Sequence, residues 1–197
     1  MNTSMISKIR HQLDRWNSYK LSLKGDRVFV FHLVDWTETI LVALVLALII
    51  RKYVIQTSKV PTGSMIPTMM VGDRLFVNKF IYRFQDPRRG DIVVFKSPKK
   101  DGKDYVKRCV GLPGETIEIK KGIVYANGKQ LIFPGIQILR DYDFRDPIVV
   151  PAHSFFMLGD NRAHSWDSRF WGFVPKEDVL GRAWFRFWPL PTMQVLR

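Results

Sequence analysis

Apolar residues fall into two contrasting patterns along this chain. Between Ile40 and Ile50 the sequence reads ILVALVLALII without a polar interruption. The wider stretch from Trp36 to Ile55 is long enough, at ~1.5 Å per residue, to cross roughly 30 Å of hydrocarbon. From Arg74 onward the apolar residues come in short runs: Leu75-Phe76-Val77, Ile92 to Phe95, Tyr105-Val106, Thr116 to Ile119, Ile123 to Tyr125, Ile148 to Val150 and Phe155 to Leu158. Their length and their β-branched and aromatic content predict strands. Turn-formers separate them at Val71-Gly72-Asp73, Arg89-Gly90-Asp91, Lys121-Gly122 and Asn127-Gly128, the last two predicting hairpins. No long amphipathic helical pattern follows residue 56. The expectation is a mainly β chain, an antiparallel β-sheet domain preceded by a single N-terminal transmembrane helix. It divides into a basic tail over 1–35, an anchor over 36–56 and a β-rich domain over 57–197.

The flanks of the apolar run refine that reading. Arg51 and Lys52 can snorkel at its far end, and Trp36 and Tyr53 suit the two interfacial belts. A cleavable signal peptide or a buried core helix would also fit a short apolar run. The following segment RKYVIQTSKVPTGS lacks a small-x-small pair, however, which favours an uncleaved anchor. Lys8, Arg10, Arg15, Lys20, Lys24 and Arg27 outnumber Asp14, Asp26 and Asp35 before the span, so the tail is expected in the cytoplasm and the large domain outside.

Composition adds three constraints. A hydrophobic content of 46% with 13% aromatics supports a packed core rather than disorder. The net charge of +13 would attract nucleic acid or anionic headgroups, and the adjoining apolar span selects membrane lipid over nucleic acid. The single cysteine, Cys109, excludes an internal disulfide framework and a multi-cysteine zinc site. His11, His32, His153 and His164 show no metal-ligand spacing, so no metal and no other cofactor is expected.

Ser64, in VPTGSMIPT, should lie on an irregular loop at the start of the domain, where most serines only form turns. A serine hydroxyl becomes a useful nucleophile when a neighbouring base takes its proton. A lysine of pKa ~10.4 is neutral at pH 7 in only about one molecule in a few thousand, but burial can lower its pKa by roughly 3–5 pH units. Lys107 is the best candidate, bracketed by Tyr105, Val106, Cys109 and Val110, although a surface lysine beside Arg108 fits the same pattern. The stretch Gly159 to Gly172 is dense in turn-formers, hydroxyls and opposed charges between two apolar strands, as suits a hydrogen-bonded loop beneath an active site. Lys96 to Lys103 reads as a solvated loop, and its S-x-x-K match at Ser97 lacks the helix that a β-lactamase motif needs. The aromatic series Trp184, Phe185, Phe187 and Trp188 suits strand packing or membrane contact better than base stacking.

Taken together, the segments VPTGSMIPTMMVGDRLFVNKF, PRRGDIVVF, DYVKRCVGLPGE and FFMLGDNRAHSWDSRFWGFVP resemble bacterial type I signal peptidases, membrane-bound Ser/Lys endopeptidases. The likeness runs from about residue 36 to about residue 185. It implies Ser64 as nucleophile, Lys107 as general base, and an oxyanion hole made by the Ser64 N–H and the Thr62 hydroxyl. It further implies that Ser165 orients the lysine ammonium and that Asp160, Asn161, Arg162, Asp167 and Arg169 support the site. Val60, Met65, Tyr105 and Val106 would line shallow pockets for small residues at the first and third positions before the cut. The implied partners are signal-peptide-bearing preproteins, bound extended along strand edges at the bacterial cytoplasmic membrane.

This sequence departs from the family's common forms at a few positions. Thr62 stands where some relatives have serine, Ala163-His164 replaces an Asp-Asn pair, and Cys109 replaces a small aliphatic residue. Two other readings stay open on the residues alone: a non-catalytic basic membrane-tethered binding protein, and a self-cleaving Ser/Lys repressor.

Overall fold

A computed structural model describes residues 3–26, 28–99, 101–136 and 144–196. Arg27 and Lys100, counted above among the tail and loop charges, lie outside these residues, as do the side chains of Lys24, Lys52 and Tyr53. The chain separates into two compact units, Met1–Arg51 and Lys52–Arg197.

In the first unit the basic tail is helical, a feature its sequence did not announce. Helix α1 (Thr3–Asp26) is followed by α2 (Val28–Tyr53). Lys20 of α1 pairs with Asp35 of α2 at 3.0 Å and also with Glu38, and Trp16 Nε1 donates to Glu38 at 3.1 Å. The apolar span runs His32–Arg51 with a mean hydropathy of 2.2, and none of that window is buried. Among the described residues it is the one helix long and apolar enough to cross a membrane. The helix stops at Tyr53, and its apolar stretch opens at His32. Ile55 and Gln56 instead open a strand, because the segment Ile55–Lys59 finds a complete antiparallel partner in Arg74–Asn78.

The second unit is built from β1 (Ile55–Lys59), β2 (Arg74–Asn78), β3 (Ile92–Lys96), β4 (Asp104–Gly111), β5 (Thr116–Lys120), β6 (Ile123–Ala126), β7 (Lys129–Gln130), β8 (Phe144–Val149) and β9 (Ser154–Leu158). A short helix α3 (Ser168–Trp171) precedes β10 (Val174–Pro175), β11 (Val179–Trp188) and β12 (Gln194–Val195). The larger sheet has the order β1-β2-β11-β3-β4-β9-β10 with β12 added to β11, and the smaller has the order β7-β6-β5-β8. All pairings are antiparallel. Lys121-Gly122 and Asn127-Gly128 have positive φ at both residues, as two-residue hairpin turns require.

Three apolar clusters hold these strands. Ile92 and Val94 pack with Val60, Met65, Leu75, Val77 and Val106, while Val93 and Phe95 point the other way toward Cys109, Phe155 and Met157. Burial on both faces explains why β3 reads as a continuous apolar run. The third cluster, including Val110, Ile117, Val124, Phe156 and Leu158, joins the smaller sheet to the ends of β4 and β9.

Candidate active site

Strand alternation decides which residues of β4 meet. Tyr105, Lys107 and Cys109 share one face, and Val106, Arg108 and Val110 share the other. β3 pairs with Asp104 to Arg108, with Val93 opposite Lys107, but β9 pairs only from Arg108 onward. Beyond Leu158 the chain turns away at Gly159. The Asp104 to Lys107 edge is therefore left open toward a cleft of about 730 Å³.

Ser64 reaches the same cleft from the other side, on a single 3₁₀ turn (Gly63–Met65) anchored by the buried Met65 and Met69. Lys107 Nζ donates to Ser64 Oγ at 2.5 Å, and both residues are buried. Burial pushes the Lys107 ammonium down to about 8, against the opposing pull of Asp167 and Asp160. Each of those carboxylates is engaged by a guanidinium. Arg108 grips Asp160 with two bonds, Nε to Oδ1 at 2.8 Å and Nη2 to Oδ2 at 2.7 Å. Arg169 grips Asp167 at 2.7 and 2.9 Å. With their charge largely spent in these pairs, desolvation of the ammonium prevails.

The Gly159 to Arg169 loop is bound into one network. Asp167 accepts from the Gly159 N–H at 3.0 Å, Arg162 donates to the Gly159 carbonyl at 2.9 Å, and Arg169 donates to the Arg162 carbonyl at 2.7 Å. Asn161 ties this loop to the Ser64 turn, its Nδ2 donating to the Gly63 carbonyl at 3.0 Å and its N–H to the Ser64 carbonyl at 3.1 Å. A Cβ on Gly159 would lie 2.1 Å from Ser165 Oγ and 2.5 Å from the Ser64 carbonyl oxygen, so only glycine fits between the two segments.

Most sequence-predicted residues thus converge. Val60, Thr62, Ser64, Met65, Tyr105, Val106 and Lys107 all line the cleft. Thr62 Oγ1 lies 3.4 Å from Ser64 Oγ, a long contact on the exposed side of the turn. Asp160, Asn161, Arg162, Asp167 and Arg169 form the supporting network around it. Ser165 is buried beside Gly159, and its Oγ has no hydrogen-bond partner in this arrangement. Two supporting residues went unnoticed in the sequence: Arg108, a buried ion-pair partner of Asp160, and Thr68, which donates to Asp160 Oδ2 at 2.5 Å. The alternation of β4, which sends Arg108 to the face opposite Lys107, was the available signal. His164 and Trp166 also border the cleft, with Lys99 Nζ 5.3 Å above the Trp166 ring.

Comparison with known proteins follows the same segments. The family model described as signal peptidase, peptidase S26, matches residues 33–188. Signal peptidase I of Leptolyngbya laminosa is 45% identical over 166 residues, covering 80% of this chain and 81% of the relative. Probable signal peptidase I-2 of Synechocystis is 42% identical over 169 residues, covering 82% and 77%. A crystal structure of a signal peptidase I from Enterococcus faecalis is 33% identical, with a TM-score of 0.43, and covers 50% of this chain and 97% of that one.

Proposed function

This chain belongs to the signal peptidase family, peptidase S26, whose members cleave signal peptides from preproteins, and on that premise we propose that Ser64 and Lys107 form its catalytic dyad. The observation that carries the proposal is the 2.5 Å contact between Lys107 Nζ and Ser64 Oγ, two buried side chains at the wall of the cleft. Neutral Lys107 takes the Ser64 proton, and the alkoxide attacks the scissile carbonyl. The Ser64 N–H and the Thr62 hydroxyl hold the oxyanion. The lysine ammonium then protonates the leaving amine, and the same base activates the water that hydrolyses the acyl-enzyme.

Two free strand edges suit an extended substrate. Among the described residues, β1 is the terminal strand of its sheet, and the Asp104 to Lys107 edge of β4 pairs with no strand on the side away from β3. Both border the cleft, through Ser58, Lys59 and the Asp104 to Lys107 segment. A signal-peptide end laid between them gains main-chain hydrogen bonds, and the apolar walls at Val60, Met65 and Val106 select small side chains by size. We further propose that α2 anchors the chain in the cytoplasmic membrane, with α1 in the cytoplasm and the β unit outside.

Cleavage of a preprotein with an A-x-A site by the full chain in lipid tests this reading. Wild type should release the mature protein, whereas Ser64→Ala and Lys107→Ala should insert normally and leave the preprotein intact. Near wild-type processing by either variant would overturn the dyad. An uncleaved preprotein with wild type would favour a non-catalytic binding protein.

A further inference from the structure

Both carbonyls that flank the Ser64 backbone are held by one residue, Asn161. Its side-chain Nδ2 donates to the Gly63 carbonyl at 3.0 Å, and its main-chain N–H donates to the Ser64 carbonyl at 3.1 Å. Across a trans peptide the C=O and N–H point in opposite directions. Fixing the Gly63 carbonyl on Asn161 therefore fixes the Ser64 N–H on the opposite side. Asn161 does not line the cleft, whereas Ser64 and Thr62 do. The Ile66 N–H also reaches the Gly63 carbonyl, at 3.2 Å, but it belongs to the same turn and moves with it. Asn161 is the tie that comes from outside the turn.

The Asn161 amide must itself face the correct way. A carbonyl only accepts, so Gly63 requires Nδ2, which leaves Oδ1 on the other side needing a donor. His164 Nδ1 lies 3.3 Å from Oδ1, and the His164 N–H closes the turn by donating to the Asn161 carbonyl at 3.0 Å. A ring carrying its proton on Nδ1 completes the chain His164 to Asn161 to the Gly63 carbonyl. A ring bare at Nδ1 would instead attract Nδ2 and turn Oδ1 against Gly63.

We propose that Asn161 and His164 are positioning residues that set the direction of the Ser64 N–H as an oxyanion donor. This rests on the reading of Ser64 as the nucleophile. It also assigns a role to His164, which replaces the residue common at this place in the family.

A pair of inhibitors separates this role from general support of the fold. A peptide aldehyde with a small-x-small end forms a tetrahedral adduct on the serine that places an oxyanion in the hole, whereas the matching peptide alcohol occupies the same pockets without one. Wild type should bind the aldehyde far more tightly. Asn161→Ala should lose roughly tenfold to a hundredfold of aldehyde affinity, less than the ~10²–10³ for outright loss of a donor. It should bind the alcohol as wild type does, and its kcat should fall while KM holds. His164→Leu, at an exposed position where folding is not at risk, should lose aldehyde affinity several-fold. His164→Asn, which restores an N–H donor, should recover it. An aldehyde-to-alcohol ratio unchanged in both Asn161→Ala and His164→Leu would overturn the proposal. No aldehyde preference in wild type would instead refute Ser64 as nucleophile, and the proposal would fall with it.

Discussion

The ionisation of Lys107 gives a quantitative test. With a pKa of about 8, roughly a tenth of the molecules carry a neutral lysine at pH 7 and about nine-tenths at pH 9. The kcat/KM of the free enzyme should then rise about tenfold between those pH values and level off above pH 9. An unperturbed lysine would give a rise of roughly a hundredfold over the same interval, with no plateau before pH 10. The same displacement affects stability. Below pH 8 both folded and unfolded chains hold the proton, and the folded state bears the full cost of the buried ammonium, about 3 kcal/mol. Between pH ~8 and ~10.5 only the unfolded chain retains it, so stability rises with pH across that window. Lys107→Met should therefore stabilise the β unit most below pH 8, with the advantage shrinking toward pH 10.5. Initial rates on a preprotein from pH 6 to 10, alongside thermal unfolding of both forms in lipid, measure the two effects. A rate that climbs without a plateau through pH 10, or a Lys107→Met variant equally stabilised at every pH, would refute the buried-base account.

Three further outcomes concern the site and the network beneath it. Gly159→Ala would drive a methyl into Ser165 Oγ and the Ser64 carbonyl, so it should cost about 2–4 kcal/mol and at least tenfold in cleavage, read by unfolding and by rate. Arg108→Met should cost about 3–5 kcal/mol by stranding buried Asp160, and the double variant with Asp160→Leu should be markedly more stable than that single one. Thr62→Val, at an exposed position, should leave the melting temperature unchanged and lower kcat, by up to the ~10²-fold expected of an oxyanion donor. Unchanged kinetics there would remove the Thr62 hydroxyl from the mechanism.

What was legible in the sequence was what depends on neighbours in the chain. Lys121-Gly122 and Asn127-Gly128 gave their hairpins because a two-residue turn with positive φ is a local demand. The apolar run gave a membrane-length helix for the same reason. β11 was harder, since register shifts between Ala183 and Phe185 and between Arg186 and Trp188 break its period of two, leaving aromatics without a clear face. α1 carries no strong apolar stripe, and its side-chain contacts to α2 run through Lys20 and Trp16 meeting Asp35 and Glu38, a pairing between segments that no local pattern announces. At the site, Ser64 and Lys107 were identifiable as chemistry, yet their contact depends on β9 leaving β4 at Gly159, which is a property of the sheet. The burial of Arg108 is not a local property, because its partner, Asp160, lies in a distant loop. The role of the Ser165 hydroxyl, likewise, was implied by family resemblance, and its Oγ has no hydrogen-bond partner in this arrangement.

The most direct test of the central claim is to identify the acylated atom. The full chain in lipid would be given an activated ester of a small-x-small peptide, for which deacylation limits turnover, then quenched in acid and mapped by mass spectrometry. The account predicts a burst of leaving group and an acyl mass on the peptide bearing Ser64, both absent in Ser64→Ala and suppressed in Lys107→Ala. An acyl group on any other residue, or turnover without a Ser64 adduct, would contradict it.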